Sequence, residues 1–397
     1  MHTPSLKQLD QIWDKHSDEW RDPLEIISLN QNASNVDSKL FQSFISGRWW
    51  ETIEKLGITL FVTREYEHLV LAYCIRDGEP TISYYPLPHP SGMTFDKTTE
   101  SLYIASTRNP NQLFRFKPFS NSMRRSDVMQ NRVDSYLSTK PLIPVSSQFV
   151  PGCTYLHDLA MIGDNLHANA VGHNAVIRME VDGSYQRRWW PKCIELNGRA
   201  RFDQNYLQLN SIAAGNSLKE SFFSASTDRV SSRRPGHKNF KVDKQGVIFS
   251  GKTRQPIVRG LTRPHSARIH HEKLWVDNSG YGELGYVDDG QYKKYVELPG
   301  WTRGLLLTDT VAFVGSSRVI PRFRMYAPGL NVDESVCGIH VIDLNKQKIT
   351  GSVVWPFGNQ VFSIVAVDTK ITSGFPTRVG VKRSTLNEKA LYYSFIT

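Results

Sequence analysis

Two histidines, a carboxylate, an amide and a guanidinium stand at comparable places in this 397-residue chain. Each opens a short apolar run: His157-Asp158-Leu159, Asn210-Ser211-Ile212, His265-Ser266-Ala267 and Arg303-Gly304-Leu305. Imidazole and carboxylate are the usual base and orienter for proton transfer, and equally the usual ligands of a divalent metal. A nearby arginine suits a substrate carboxylate or phosphate. On this reading His157 and His265 act as base and acid or, with Asp158, as ligands of calcium, magnesium or zinc. Asn210 and Arg303 bind substrate. The segment Leu274-Trp275-Val276-Asp277-Asn278-Ser279-Gly280-Tyr281-Gly282-Glu283-Leu284 runs a strand into a glycine-rich turn, and adds Asp277 and Asn278 as substrate-binding candidates and Tyr281 as a general acid. Blander readings compete: Tyr281 packing across its turn, and His157-Asp158 as a satisfied histidine with a capping aspartate. His167, His173 and His270-His271 read as surface or strand-edge histidines. The chain has no HExxH or GxSxG motif and no Asp-rich calcium loop.

The elements that must position these residues are short strands. Two further openings, Ser91-Gly92-Met93 and Phe362-Ser363-Ile364, complete a weak internal repeat whose first residues lie 66, 53, 55, 38 and 59 apart. Each precedes an apolar strand and, nine to twelve residues later, a second one, such as Leu102-Tyr103-Ile104-Ala105 or Val311-Ala312-Phe313-Val314. Such periods bracket a four-stranded blade with variable loops, which makes the fold all-β, a six-bladed β-propeller. Residues 58 to 88 look like strands two to four of a blade lacking its first, and Val361 to Val367 can supply the missing member and close the ring. A seventh blade stays open because Ala390-Leu391-Tyr392-Tyr393-Ser394-Phe395 also reads as strand. Innermost strands line the central channel, so the polar openings are expected to converge at one mouth. Residues 1–55 form an N-terminal extension, with an amphipathic helix from Leu6 to Trp20 that stops before Asp22-Pro23, and residues 56–397 form the propeller.

The charge balance is +10, from 48 Lys+Arg against 38 Asp+Glu, which favours anionic ligands. The basic residues fall in short clusters with no continuous stripe, so nucleic acid is a disfavoured partner. With no leader-like N-terminus and no run of 18 apolar residues, the chain reads as cytoplasmic, without a membrane partner and free to form a homo-oligomer. Cys74, Cys153, Cys193 and Cys337 form no CxxC and read as reduced, buried thiols.

The chain resembles an uncharacterised bacterial family of conserved hypothetical propeller-like proteins, carried as a domain of unknown function, over residues 56 to 367. The resemblance rests on Leu56-Gly57-Ile58, Leu156-His157-Asp158-Leu159-Ala160, Leu209-Asn210, Pro264-His265-Ser266, Leu274 to Gly280, Pro299-Gly300-Trp301-Thr302-Arg303-Gly304 and Cys337-Gly338-Ile339-His340-Val341-Ile342-Asp343. The family's Leu-Asn-Gly-Leu-Ala becomes Leu209-Asn210-Ser211-Ile212-Ala213, and a histidine expected just before it is replaced by Gln208, which weakens any metal site needing a third imidazole. The resemblance implies a fold and a ring of matched motifs, with no settled activity. In architecture the chain is also similar to gluconolactonase-type propellers, which hold a metal in the channel, and to streptogramin-lyase-type propellers, which use a histidine to eliminate an ester. The resulting expectation is a lyase, isomerase or hydrolase that abstracts a proton from a polar, anionic small molecule or saccharide. The alternative is a non-catalytic propeller that binds a glycan or a partner protein.

Overall fold

Alternation along the strands explains the layers. In Leu69–Arg76, Leu71 and Tyr73 join one apolar cluster while Val70 and Ala72 join another on the opposite face. A strand buried on both faces in this way must lie between two other sheets. The computed structural model describes residues 36–108, 110–231, 235–236, 240–382 and 385–396; the expected helix from Leu6 to Trp20 lies outside them.

Six antiparallel sheets form the ring. Blade 1 contains Ser363–Asp368, Ile58–Arg64, Leu69–Arg76 and Glu79–Pro86, with Thr377–Arg378 at its outer edge. Blade 2 runs from Pro90–Asp96 through Ser101–Ser106 and Asn111–Pro118 to Leu142–Val150. Blade 3 is Leu156–Ile162, Asn165–Ala170, Ala175–Met179 and Tyr185–Trp189. Blade 4 is Leu209–Ala213, Phe222–Ala225, Gly246–Ser250 and Pro256–Leu261. Blade 5 is Pro264–His270, Lys273–Asn278, Glu283–Asp288 and Gln291–Glu297. Blade 6 is Trp301–Leu307, Val311–Ser317, Cys337–Asp343 and Lys348–Trp355, widened by Phe44–Gly47.

One apolar cluster fills each junction between neighbouring blades. Leu159 and Ile177 meet Leu113 between blades 2 and 3, for example, and Val276 meets Val258 between blades 4 and 5. The ring closes as the repeat implies: Ile58–Arg64 pairs with Ser363–Asp368, from Ile58↔Asp368 to Thr63↔Ser363. Closure in register leaves no free edge between first and last blades.

The seventh blade is not formed. Thr385–Ser394 is a helix, α3, with Glu388, Leu391 and Ser394 buried at a spacing of three. Its tyrosines favour strands by type, but the burial period is helical, and Ala390 and Leu391 pack with Val133 of helix α2, Gln130–Leu137. Part of the region assigned to the extension is built into the ring. Phe44–Gly47 pairs with Lys348–Trp355, and helix α1, Trp49–Leu56, buries Trp49 edge-on against Tyr73 and Phe313, at ring separations of 5.4 and 5.8 Å. Gly57 ends this helix at φ 61°, a left-handed cap that a glycine takes without strain.

The four cysteines are free; Cys74 and Cys337 are buried as expected, whereas Cys193 is only partly buried and Cys153 is exposed. No described helix is long and apolar enough to cross a membrane.

Candidate active site

Every opening found in the sequence begins an innermost strand. In blades 2 to 6 that strand carries one extra residue at this point: between His265↔Asp277 and Arg268↔Trp275, for instance, three steps on one strand face two on its neighbour. Such a bulge bends the strand and re-aims the side chain that follows the entrance. In blade 6 the bulge is taken by Gly304 at φ 88°, a conformation that L side chains rarely adopt, directly after Arg303.

Four of the expected residues converge. The rings of His157 and His265 lie 6.2 Å apart. Arg303 Nη2 stands 3.2 Å from His157 Nε2, and the guanidinium carbon lies 3.2 Å above the ring of Phe362. Asn210 donates through Nδ2 to the carbonyl of Pro264 (2.9 Å) and to Ser226 Oγ (3.2 Å), leaving its buried Oδ1 without a hydrogen-bond partner. His265 and Arg303 are 2% and 6% exposed, whereas His157 is only partly buried and is the member a ligand meets first.

The tautomer of His265 follows from its partners. Its Nδ1 lies 2.8 Å from the carbonyl of Arg263 and 2.9 Å from Ser279 Oγ, and that hydroxyl gives its own proton to the carbonyl of Thr302 (2.6 Å). Both neighbours of Nδ1 are therefore acceptors, so Nδ1 carries the hydrogen and Nε2 keeps its lone pair. Burial holds both histidines well below the ordinary imidazole range, and the Arg303 charge adds to the effect. For His157 a hydrogen bond to the backbone of Asn210 opposes the shift. Burial also brings Arg303 and Arg263 down to about 10.

Four expected site residues are used elsewhere. The Asp158 carboxylate accepts from the backbone N–H groups of Leu159 (3.1 Å) and Ile212 (2.9 Å) and pairs with Arg268 at 2.9 Å. It thereby ties blade 3 to blades 4 and 5 and is not brought to the histidine pair as a third ligand. The set whose ligand atoms do come together among the described residues is His270, His271 and Asp309. Asp277 is fully enclosed, and desolvation raises its carboxyl well above the usual range, so it stands neutral beside Ser266 rather than facing a substrate. Asn278 accepts from the N–H of Thr262 (2.7 Å) and donates to Glu283 (2.9 Å), which makes it a turn cap. Tyr281 donates to Asp243 (3.0 Å) and packs against Gly329, both outside its own turn. His167 and His173, expected at the surface or at a strand edge, are both buried.

The mouth also holds residues that the sequence reading did not assign to the site. Two positions before the openings stand His89, Tyr155, Gln208, Arg263, Trp301 and Gln360. The first four have φ between 41° and 52°, an uncommon backbone conformation outside glycine that repeats from blade to blade. Arg263 donates to Gln208 Oε1 (2.5 Å) and Ser226 Oγ (3.0 Å) and stacks on Tyr326, with its guanidinium carbon 4.0 Å from the ring centroid. With its amide oriented as its partners require, Gln360 donates to Glu65 (2.8 Å) and accepts from Arg303 Nη1 (2.9 Å). Glu65 in turn pairs with Arg108. A second register of the repeat, a large polar or aromatic side chain two positions upstream, was the signal that could have found them.

A family model described as a domain of unknown function, DUF4915, matches residues 47–373. The chain belongs to the DUF4915 family. No curated protein matches it. Among solved structures, the DUF4915 chain is similar in fold to a chain of a nidogen/laminin complex (TM-score 0.49, 9% identity, covering 78% of this chain and 98% of that one). It is also similar to a gluconolactonase from Xanthomonas campestris (TM-score 0.43, 12% identity, 76% and 86% covered). A third is a catalytically inactive virginiamycin B lyase from Staphylococcus aureus with quinupristin (TM-score 0.35, 9% identity, 79% and 99% covered). At these identities the likeness is one of fold, and the chemistry of the DUF4915 mouth is argued from its own residues.

Proposed function

We propose that the mouth binds a polar, anionic small molecule or saccharide and moves a proton on it, in a reaction of the lyase, epimerase or hydrolase type. The observation that carries this reading is the fixed tautomer of His265: an imidazole locked by two acceptors on Nδ1, neutral, with a free lone pair on Nε2 beside a second neutral imidazole and a guanidinium. Arg303 holds the carboxylate or phosphate of the ligand and stabilises the charge that develops when His265 Nε2 takes a proton from the neighbouring carbon. His157, the less buried of the two imidazoles and touching Arg303, orients the ligand and exchanges the proton. Asn210 offers its unpaired Oδ1 to a hydroxyl.

The test is deuterium exchange into a panel of hydroxy acids, uronic acids and sugar phosphates, followed by NMR. The wild type is expected to label one carbon-bound position of a bound anion, His265→Asn to bind without labelling, and Arg303→Met to lose binding. A mouth that only binds would keep anion affinity with no labelling in any variant. Anion binding unchanged in Arg303→Met overturns the reading altogether.

A further inference from the structure

We propose that the face opposite the mouth holds a divalent transition-metal ion, zinc by preference, between His270, His271 and Asp309. Inner strands that begin at the mouth end on this face, and two neighbouring hairpins meet there: the turn from Pro264–His270 into Lys273–Asn278 in blade 5, and the turn from Trp301–Leu307 into Val311–Ser317 in blade 6. One ligand atom from each of the three side chains lies within 4.8 Å of the others. His271 Nε2 and Asp309 Oδ1 are 3.1 Å apart. Two ligands of a tetrahedral zinc ion, each about 2.0–2.1 Å from the metal, stand roughly 3.3 Å apart, so this pair already has nearly the separation an ion requires.

Three observations beyond proximity support the site. His270 Nε2 is buried without a hydrogen-bond partner, a lone-pair position that a metal would satisfy. Asp309 forms its ion pair with the His271 imidazole, and among the described residues no lysine or arginine neutralises it. The two loops are held in shape. His271 and Glu272 take φ 47° and 61°, the pair of left-handed residues of a tight hairpin, while the Thr308 N–H donates to the carbonyl of Val311 (2.9 Å) and Thr308 Oγ1 accepts from the Val311 N–H (3.1 Å). Two imidazoles and one carboxylate select zinc, cobalt or nickel over calcium or magnesium, with water completing the shell. A bound ion would clamp blade 5 to blade 6. The site is independent of the mouth, where the Arg303 guanidinium beside His157 opposes a cation.

Zinc binding to the untagged full chain, followed by calorimetry, tests the site, and the absorption of bound cobalt(II) reports its geometry. The wild type is expected to bind one ion per chain. His271→Asn, which tolerates the left-handed backbone, and Asp309→Asn should each weaken binding at least about tenfold, while His157→Ala leaves it unchanged. Zinc should raise the wild-type melting temperature but not that of the two variants, whose fold is checked by circular dichroism. A wild type that takes up no zinc overturns the proposal. So do His271→Asn and Asp309→Asn variants that bind like the wild type, which would place the ion elsewhere.

Discussion

Replacing Asp158 with alanine separates structural from chemical duty at the mouth. The carboxylate accepts two backbone N–H groups and two contacts from Arg268, at 2.9 and 3.3 Å. Its side chain is 7% exposed and that of Arg268 25%. Removing one partner of a buried pair costs about 3–5 kcal/mol, and the partial exposure of Arg268 places this one near 3. An unfolding entropy of about 2.1 cal/mol/K per residue over 397 residues makes that a fall of roughly 4 °C in melting temperature. Urea denaturation of Asp158→Ala, Arg268→Ala and the double variant should return a coupling on the order of 1–3 kcal/mol. A coupling below about 0.5 kcal/mol refutes the clamp. An Asp158→Ala protein that keeps its stability but no longer labels a substrate returns Asp158 to the chemistry.

Two further outcomes follow from buried titratable groups. The Asp277 carboxyl keeps its proton in the folded state while the unfolded chain releases it above the ordinary carboxylate range, so the folded state loses stability as pH rises from there. Asp277→Asn should therefore gain more stability over the wild type at pH 7 than at pH 4, and an equal difference at both contradicts the neutral carboxyl. His340, held between Ser316 Oγ and Ser352 Oγ, is pushed down to about 4 by burial. Its contribution is present above the unfolded value of 6.5 and is lost as pH falls from there toward 4, amounting to about 3 kcal/mol at 1.36 kcal/mol per unit. His340→Gln should flatten the pH dependence of the urea midpoint in that window, and an unchanged slope would exclude His340 as its source.

The blades were legible because their openings repeat, and a repeat survives wide variation in loop length. Asp158 hid its part in tying the blades for the opposite reason. Its partner Arg268 lies 110 residues away in another blade, and no local spacing announces that a guanidinium will reach across. Asp277 and Asn278 looked functional because polar residues beside glycines suit both a turn and a site, and only burial and partners decide between them. The upstream residues Arg263 and Gln360 escaped, and Gln208 was read only as a missing histidine, because their side chains share neither charge nor size. What unites four of the blade entrances, His89, Tyr155, Gln208 and Arg263, is a left-handed backbone that composition does not reveal. The C-terminal helix was hidden by residue type, since tyrosine and phenylalanine pointed to a strand while only the spacing of Glu388, Leu391 and Ser394 was helical.

The ring closure also sets a timetable. Thr63 and its partner Ser363 are 300 residues apart, so the inner edge of Ile58–Arg64 stays without its neighbour while the other five blades are made. At about 5–20 residues per second, that interval is roughly 15–60 s on the ribosome. Through it, an apolar strand buried on both faces in the finished ring presents an unpaired edge, the form most open to wrong pairing with another chain. Newly made chains are thus most vulnerable just before the last inner strand emerges, and slowing synthesis ahead of Ser363 should lower the yield of folded protein more than slowing it afterwards.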